Sequence, residues 1–548
     1  MERSDLVASV FAALANGEAC GAAQDCAARW ERDADPVAAA LAAVTQFWLG
    51  EFVAGSQWAR LAVEAATDDG ARALAHAAAA LAAGGDLEVD GRPDWAAGLD
   101  LLVTADEPDS AWWSAVRYLL AEAALVDARV ADAASVVATG PMGGSAWAGH
   151  PFAAVMAACS VRTALFGGDV ARAQELLDPM KAAVVTGSRL ETLTDSVAGL
   201  VHGNADDAGG VARSLEVADA VRDSERDFLD RGVLLLLAFG AIAVGDVVTA
   251  GGMILRAGDD GDLSSCTLID RALGLELLLV AALTEEDLAS AEAWFAAMLP
   301  LAIHPSPGPT VERARSRVLL ALGEVEGAVA AATASIEACR AAGRLVEAAE
   351  GEIALARARI AGRDVAGASR DLRALVNATD ASGHRAVRRS ASSTLQPARR
   401  RLPPVAGGGW EALSEREREV ARHVLEGHEV DHIAALLFLS PATVRTHISR
   451  VLCAFGVPTR IGLLAAVGTP PRDIPRPAPA PLSPRQGEVA RRIALGASNQ
   501  QIAAEFGISV KGVEKHVGDV LARWGVRSRF EIARVWWDSD DVRPAPAG

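Results

Sequence analysis

The sequence predicts an all-α protein in which a long helical-repeat solenoid precedes two small helical domains that repeat one another. Three observations carry that expectation. The 548 residues are Ala-rich, with one Tyr, three Lys and few β-branched residues other than Val, which favours helix over sheet. A turn of the form Gly-acid-apolar recurs through about the first 380 residues. Near the C-terminus, the stretch that starts at Leu413 returns at Leu482 with a constant offset of 69 and no gap. A chain of this length supports more than one packed core.

The solenoid expectation rests on spacing. Gly50-Glu51-Phe52, Gly168-Asp169-Val170, Gly245-Asp246-Val247, Gly323-Glu324-Val325 and Arg363-Asp364-Val365 are each followed at the sixth position by a small residue, namely Gly55, Ala173, Ala250, Ala328 and Ala368. Looser copies stand at Gly17-Glu18, Arg92-Pro93-Asp94, Ala128-Arg129-Val130, Gly203-Asn204 and Glu286-Asp287-Leu288. Their intervals of roughly 33 to 42 residues match one helical hairpin of a solenoid. Gly would end one helix, the acid would cap the next, and the small residue would let the pair approach closely. The pattern resembles a tetratricopeptide-type superhelix, although the large aromatics and terminal Pro of that consensus are not satisfied. A non-repeating helical bundle is the alternative that the same apolar runs allow.

Domain limits follow from composition. Residues 1–381 form the expected repeat domain, 382–409 a basic Pro/Gly linker, 410–468 the first small domain, 469–480 a Pro-rich linker and 481–540 the second small domain. The net charge of −19 is uneven: residues 401–548 carry +3 and the remainder −22. A neutral-to-basic tail on an acidic body is what a nucleic-acid module attached to a non-binding domain would give.

Each small domain reads as four short helices. Ser414 and Ser483 cap a first helix that stops at Gly427 or Gly496, and a second spans about 430–437 or 499–506. Ser440 and Ser509 cap a third, in which Val444, Ile448, Leu452 and Val513, Val517, Leu521 recur every four residues; a fourth starts near Thr459 or Ser528. A short turn between second and third helices would present the outer face of the third to a major groove of double-stranded DNA. That face holds Thr443, Arg445, Thr446, Ser449 and Arg450 in the first copy and Lys511, Glu514, Lys515, Gly518 and Asp519 in the second, with His447 and His516 as further candidates for phosphate. Arg can read guanine bidentately, while Ser, Thr and Lys can hold phosphates or bases.

The blocks L-S-x-R-E-x-E-V, G-x-x-x-x-x-I-A, S-x-x-T-V-R-T-H and G-V-x-[ST]-R resemble the LuxR-type helix-turn-helix family over about 411–468 and 481–538. The resemblance implies sequence-specific DNA binding through the third helix and homodimerisation through the fourth. The acidic body also resembles the sensor arms of large ATP-dependent LuxR-type regulators. Departures are local: Val430 and His432 stand where the family has Asn and Glu, and Cys453-Ala454-Phe455 lacks its basic residue. In the second copy Gly512 replaces Thr, and Glu514 and Asp519 bring negative charge, although Asn499 is kept. The first copy is therefore expected to make the stronger base contacts.

Other signals point away from catalysis. His428-Glu429-Val430-Asp431-His432 matches the HExxH zinc-hydrolase pattern, but falls at the turn between the first two helices with no third ligand following. Gly407-Gly408-Gly409 is not followed by Gly-Lys-Ser/Thr, so the ATPase of the larger relatives is absent. Neither an enzyme, nor a metal site, nor a cofactor is expected. Cys20, Cys26, Cys159, Cys266, Cys339 and Cys453 lack a CxxC pair, which suits reduced cytoplasmic thiols. No basic-then-apolar leader opens the chain, and the apolar run Val233 to Val244 is shorter than the ~20 residues a bilayer span needs, so no membrane partner is expected.

The sequence thus predicts a cytoplasmic transcriptional regulator whose repeat domain binds a protein or small-molecule effector and alters how two DNA modules are presented. The Pro-rich connector, extended at ~3.1 Å per residue, would reach ~40 Å, enough for half-sites ~34 Å apart; the alternative is that the copies pack on each other and only one faces DNA. The alternative is an interaction scaffold whose modules no longer bind DNA.

Overall fold

A computed structural model describes residues 3–87, 93–143, 145–221, 226–258, 263–403, 408–410, 412–467 and 480–538. It divides into two compact units, residues 1–401 and 402–548. Among the described residues the regular structure is helical. No helix there is long and apolar enough to cross a membrane.

The first unit is a succession of antiparallel helical hairpins. They include Pro36–Leu49 with Phe52–Ala65, Phe228–Ala243 with Val247–Ala257, Leu268–Thr284 with Leu288–Met298, Gly308–Ala321 with Val325–Ala341, and Leu345–Ala361 with Val365–Ala381. The leading helix Pro36–Leu49 is apolar nearly all round and buries 11 of its 14 residues, whereas its partner Phe52–Ala65 buries four along one face.

The recurrent turn works as its residue types require. Gly50, Gly168, Gly245 and Gly323 adopt φ between +83° and +88°, ending the leading helix in the left-handed region. Asp169, Asp246 and Asp364 then accept a backbone N–H of the following helix through their side chains; the longer Glu51 and Glu324 do not. Gly55, Ala173, Ala250, Ala328 and Ala368 are all buried where the two helices meet. One looser copy needs correction. Gly203 and Asn204 lie inside Leu190–Asn204, and the turn falls at Asp206-Asp207. A Cβ on Gly203 would collide with the Gly240 carbonyl, so this glycine serves a close helix crossing. Arg92 lies outside the described residues.

Successive turns of the solenoid stack through backbone hydrogen bonds. Ala131 donates to the Ala342 carbonyl at 3.1 Å and Ala171 to the Ser382 carbonyl at 2.9 Å, both at a separation of 211 residues. Orphan N–H groups at the start of one helix thereby satisfy orphan carbonyls at the end of another. Gly343 permits the approach: its φ is +73°, and a Cβ there would lie 2.8 Å from the Ala131 nitrogen.

The expected 382–409 linker is not all linker. Residues Arg385–Leu395 form a helix packed on the last hairpin, with Arg388 paired to Asp380 at 2.5 Å and Arg389 to Asp206 at 2.9 Å. Both guanidiniums are engaged within the first unit. The 469–480 linker lies outside the described residues except for Ala480.

Leading helices line a partly open cavity of about 560 Å³. Phe47, Trp48, Phe228 and Phe239 contribute to a mostly apolar lining, which also holds several arginines and the carboxylates of Glu122, Asp270, Glu276, Glu347 and Glu350. Most of these cations are spent in ion pairs between consecutive hairpins: Arg162–Glu122 at 2.5 Å, Arg313–Glu276 at 2.5 Å and Arg313–Glu347 at 3.2 Å. The partners lie 34 to 40 residues apart, one repeat. Arg357 differs: its guanidinium faces the cavity with one long bond, Nε to Thr394 Oγ1 at 3.4 Å.

Candidate nucleic-acid interface

The second unit holds both four-helix copies. The first has helices Glu415–Leu425, Val430–Leu436, Pro441–Ala454 and Arg460–Val467; the second has Pro484–Ala494, Asn499–Phe506, Val510–Trp524 and Arg529–Asp538. Ser414 with Glu417 and Ser483 with Gln486 form reciprocal capping boxes, which start the first helix at the same place in each copy. Ser440 and Ser509 accept from the Thr443 and Gly512 amides, fixing the N-terminus of the third helix.

Matching arginines brace the helices. Arg416 bonds Glu419 and the Leu437 carbonyl, and Arg485 bonds Glu488 and the Phe506 carbonyl, tying the first helix to the end of the second. Arg529 reaches Asn499 Oδ1 at 2.5 Å and ties the fourth helix to the second. Val430 occupies the Asn499 position in the first copy, so the equivalent Arg460 turns instead to Glu429 at 3.9 Å. The departure from the family pattern is thus absorbed within the scaffold.

On the third helices, Val444, Ile448 and Val451, like Val513 and Val520, point into the core. Arg445, Thr446 and Ser449 are exposed, as are Lys511, Glu514, Lys515, Gly518 and Asp519; Thr443 is half-buried and shares its hydroxyl with Ser440 at 2.8 Å. Arg445, Lys511 and Lys515 make no ion pair among the described residues. Arg450 is less available, because Glu417 Oε1 holds it at 3.2 Å. Burial pushes the Glu417 carboxyl up, but hydrogen bonds from Ser414 and Arg450 outweigh it and hold the group below the usual carboxylate range.

His447 and His516 are half-buried, each with Nδ1 turned inward away from solvent. Burial pushes the His447 imidazole below its ordinary value, against the opposing pull of Glu417. These positions suit orientation of the third helix better than a phosphate contact.

Sequence reading missed Phe438. It stands in the turn before the third helix at φ +53° and is 96% exposed, where the second copy has Gly507 at φ +62°. A left-handed aromatic costs about 1–3 kcal/mol of local strain, which the glycine of the second copy avoids.

The copies pack on each other. The last helix of the first copy, Arg460–Val467, touches both Pro484–Ala494 and Arg529–Asp538, and Leu463 and Leu464 join Val489, Ile493 and Ile532 in one apolar cluster. Phe530 and Arg534 approach Gly427, while Gly462 approaches Gly496, the residue equivalent to Gly427. Arg534 also donates to the Glu426 carbonyl. Each fourth helix therefore sits against the glycine that ends the other copy's first helix, an approximately two-fold, self-complementary contact.

The model of bacterial regulatory proteins, luxR family, matches residues 411–465 and again 480–536. Over 56 residues the chain is 45% identical to Rv0890c of Mycobacterium tuberculosis, which bears the name of an HTH-type transcriptional regulator; the match covers 10% of this chain and 6% of that one. The transcriptional regulatory protein UhpA of Escherichia coli K12 is 38% identical over 58 residues, 11% of this chain and 30% of UhpA. A Mycobacterium tuberculosis protein named as the transcriptional regulatory protein NarL is 40% identical over 67 residues, covering 12% and 29%. These similarities span only a small part of each chain. Within that part they agree with the capped helices and exposed third-helix faces: the chain carries two helix-turn-helix modules of the luxR family in tandem.

Proposed function

We propose that this chain is a sequence-specific DNA-binding transcriptional regulator whose tandem modules read one duplex and whose helical-repeat unit sets their activity in response to an effector. The observation that carries the DNA reading is Arg445, exposed on the third helix with Thr446 and Ser449 beside it and unclaimed by any carboxylate among the described residues. A guanidinium held this way can meet the O6 and N7 acceptors of guanine. Lys511 and Lys515 offer the second module phosphate contacts, offset by Glu514 and Asp519.

The two-fold packing of the copies supports half-sites of opposite orientation, joined in a single polypeptide rather than by two subunits. For the effector, the cavity of the repeat unit has the size of a small-molecule site, with a mostly apolar lining in which the weakly engaged Arg357 is the cation available to an anionic group. The scaffold alternative has no comparable support, since a module that had lost DNA binding has no reason to keep Arg445 clear of its neighbours.

Selection of bound duplexes from a random pool by the intact chain, followed by anisotropy titration of the winner, tests the reading. Arg445→Ala should weaken the selected duplex by about 1–3 kcal/mol and relax preference at one base pair. Unchanged affinity and preference would remove Arg445 from base readout.

A further inference from the structure

His423, near the end of the first helix of the first module, Glu426 at its C-cap and His428 in the following turn converge on one point. His423 Nδ1 lies 2.9 Å from Glu426 Oε2, His428 Nδ1 lies 3.5 Å from the same oxygen, and the two Nδ1 atoms are 3.3 Å apart.

Glu426 Oε2 can accept from both Nδ1–H groups, but that arrangement leaves two N–H groups facing each other at 3.3 Å. A single cation satisfies all three. Tetrahedral zinc with bonds of about 2.0–2.2 Å places its ligand atoms ~3.3 Å apart, close to each of the three separations.

The set is not demanded by the module. At the equivalent positions the second copy has Arg492, Leu495 and Ala497, and folds the same way. The grouping is also not the HExxH pattern of the sequence: the second helix starts at Val430, so His428 precedes it, and its metal-binding companions are His423 and Glu426 rather than Glu429 and His432. The His432 ring packs 4.7 Å from that of His428 and flanks the cluster.

We propose that His423, Glu426 and His428 bind one divalent transition metal ion of the zinc class. Two imidazole nitrogens and one carboxylate oxygen form a borderline donor set that favours zinc, nickel, cobalt or copper over magnesium or calcium, with water completing the coordination. The ion clamps the end of the first helix to the turn that leads into the second. It does so beside the Glu426 carbonyl that accepts Arg534 of the other copy, so metal occupancy stiffens the contact between the modules.

The test uses the intact chain without DNA. Metal-free protein is titrated with zinc by calorimetry and with cobalt by visible absorption, alongside His428→Ala, His423→Asn and a control, His304→Ala. The expected result is one equivalent bound, with four-coordinate cobalt absorption, weakened at least tenfold in the two cluster variants and unchanged in the control. Circular dichroism of the variants matching the parent assigns the loss to ligation rather than unfolding. No saturable binding, or binding that survives both cluster substitutions, overturns the proposal. Neither result depends on whether the chain binds DNA.

Discussion

His384 shows how one buried residue can set a pH response. It is 4% exposed at the start of the helix Arg385–Leu395, and burial pushes its imidazole down to about 4, against a weaker opposing pull from Glu350. Below pH 6.5 the unfolded chain takes up a proton that the folded chain refuses. The stability conferred by keeping this ring neutral is therefore complete above about pH 6.5 and is lost as pH falls toward 4, at most about 3 kcal/mol. Denaturant titrations of the parent and His384→Gln from pH 7.5 to 4.5 should show a steeper decline in the parent; parallel curves would contradict it. Other residues divide by how local their signals are. Arg445 was legible as outward-facing because helical periodicity assigns its side. The Arg450–Glu417 pair was not, because it joins separate helices whose approach no periodicity encodes, and the convergence of His423, Glu426 and His428 depends on the path of the turn after the helix, which helical periodicity does not describe. Cys26 was readable as an inert thiol: it is buried, which pushes it up to about 12.

At the scale of elements, the hairpin turns were visible in sequence because their chemistry is local. A left-handed Gly and an Asp that caps three residues onward need only a few neighbouring positions. The stacking of turns was invisible, since Ala131 meets Ala342 through backbone groups that any residue carries. The cavity is a product of that stacking, and the weakly engaged guanidinium of Arg357 in its lining is the handle we propose for an anionic ligand. Burial first and the nearby Arg317 second lower the Arg357 pKa, against an opposing pull from Glu350. Anilinonaphthalene sulfonate should bind the intact chain with enhanced fluorescence and at least fivefold more tightly than uncharged phenylnaphthylamine, a preference that Arg357→Ala abolishes. Equal binding of the two dyes, or a preference indifferent to Arg357, would contradict the assignment of an anion to this cavity.

For the molecule as a whole, the acidic body and the neutral-to-basic tail divide the work that the fold makes separable. The first unit offers a partly open cavity walled by ion-paired helices, and the second offers two solvent-facing third helices in a near two-fold arrangement. The gapless internal repeat announced the two modules. Mutual packing of the copies was an open alternative in the sequence, but the faces that make it were not legible, because the apolar faces of short fourth helices do not specify which partner they cover. The most direct measurement is equilibrium binding of the intact chain to its selected duplex across a salt series, with Lys515→Ala beside the parent. Sequence-selective binding is predicted, with an affinity that falls log-linearly with salt and a slope that drops by about one for the variant. An intact chain that binds no duplex even at low salt, or binds all sequences alike, would contradict the account.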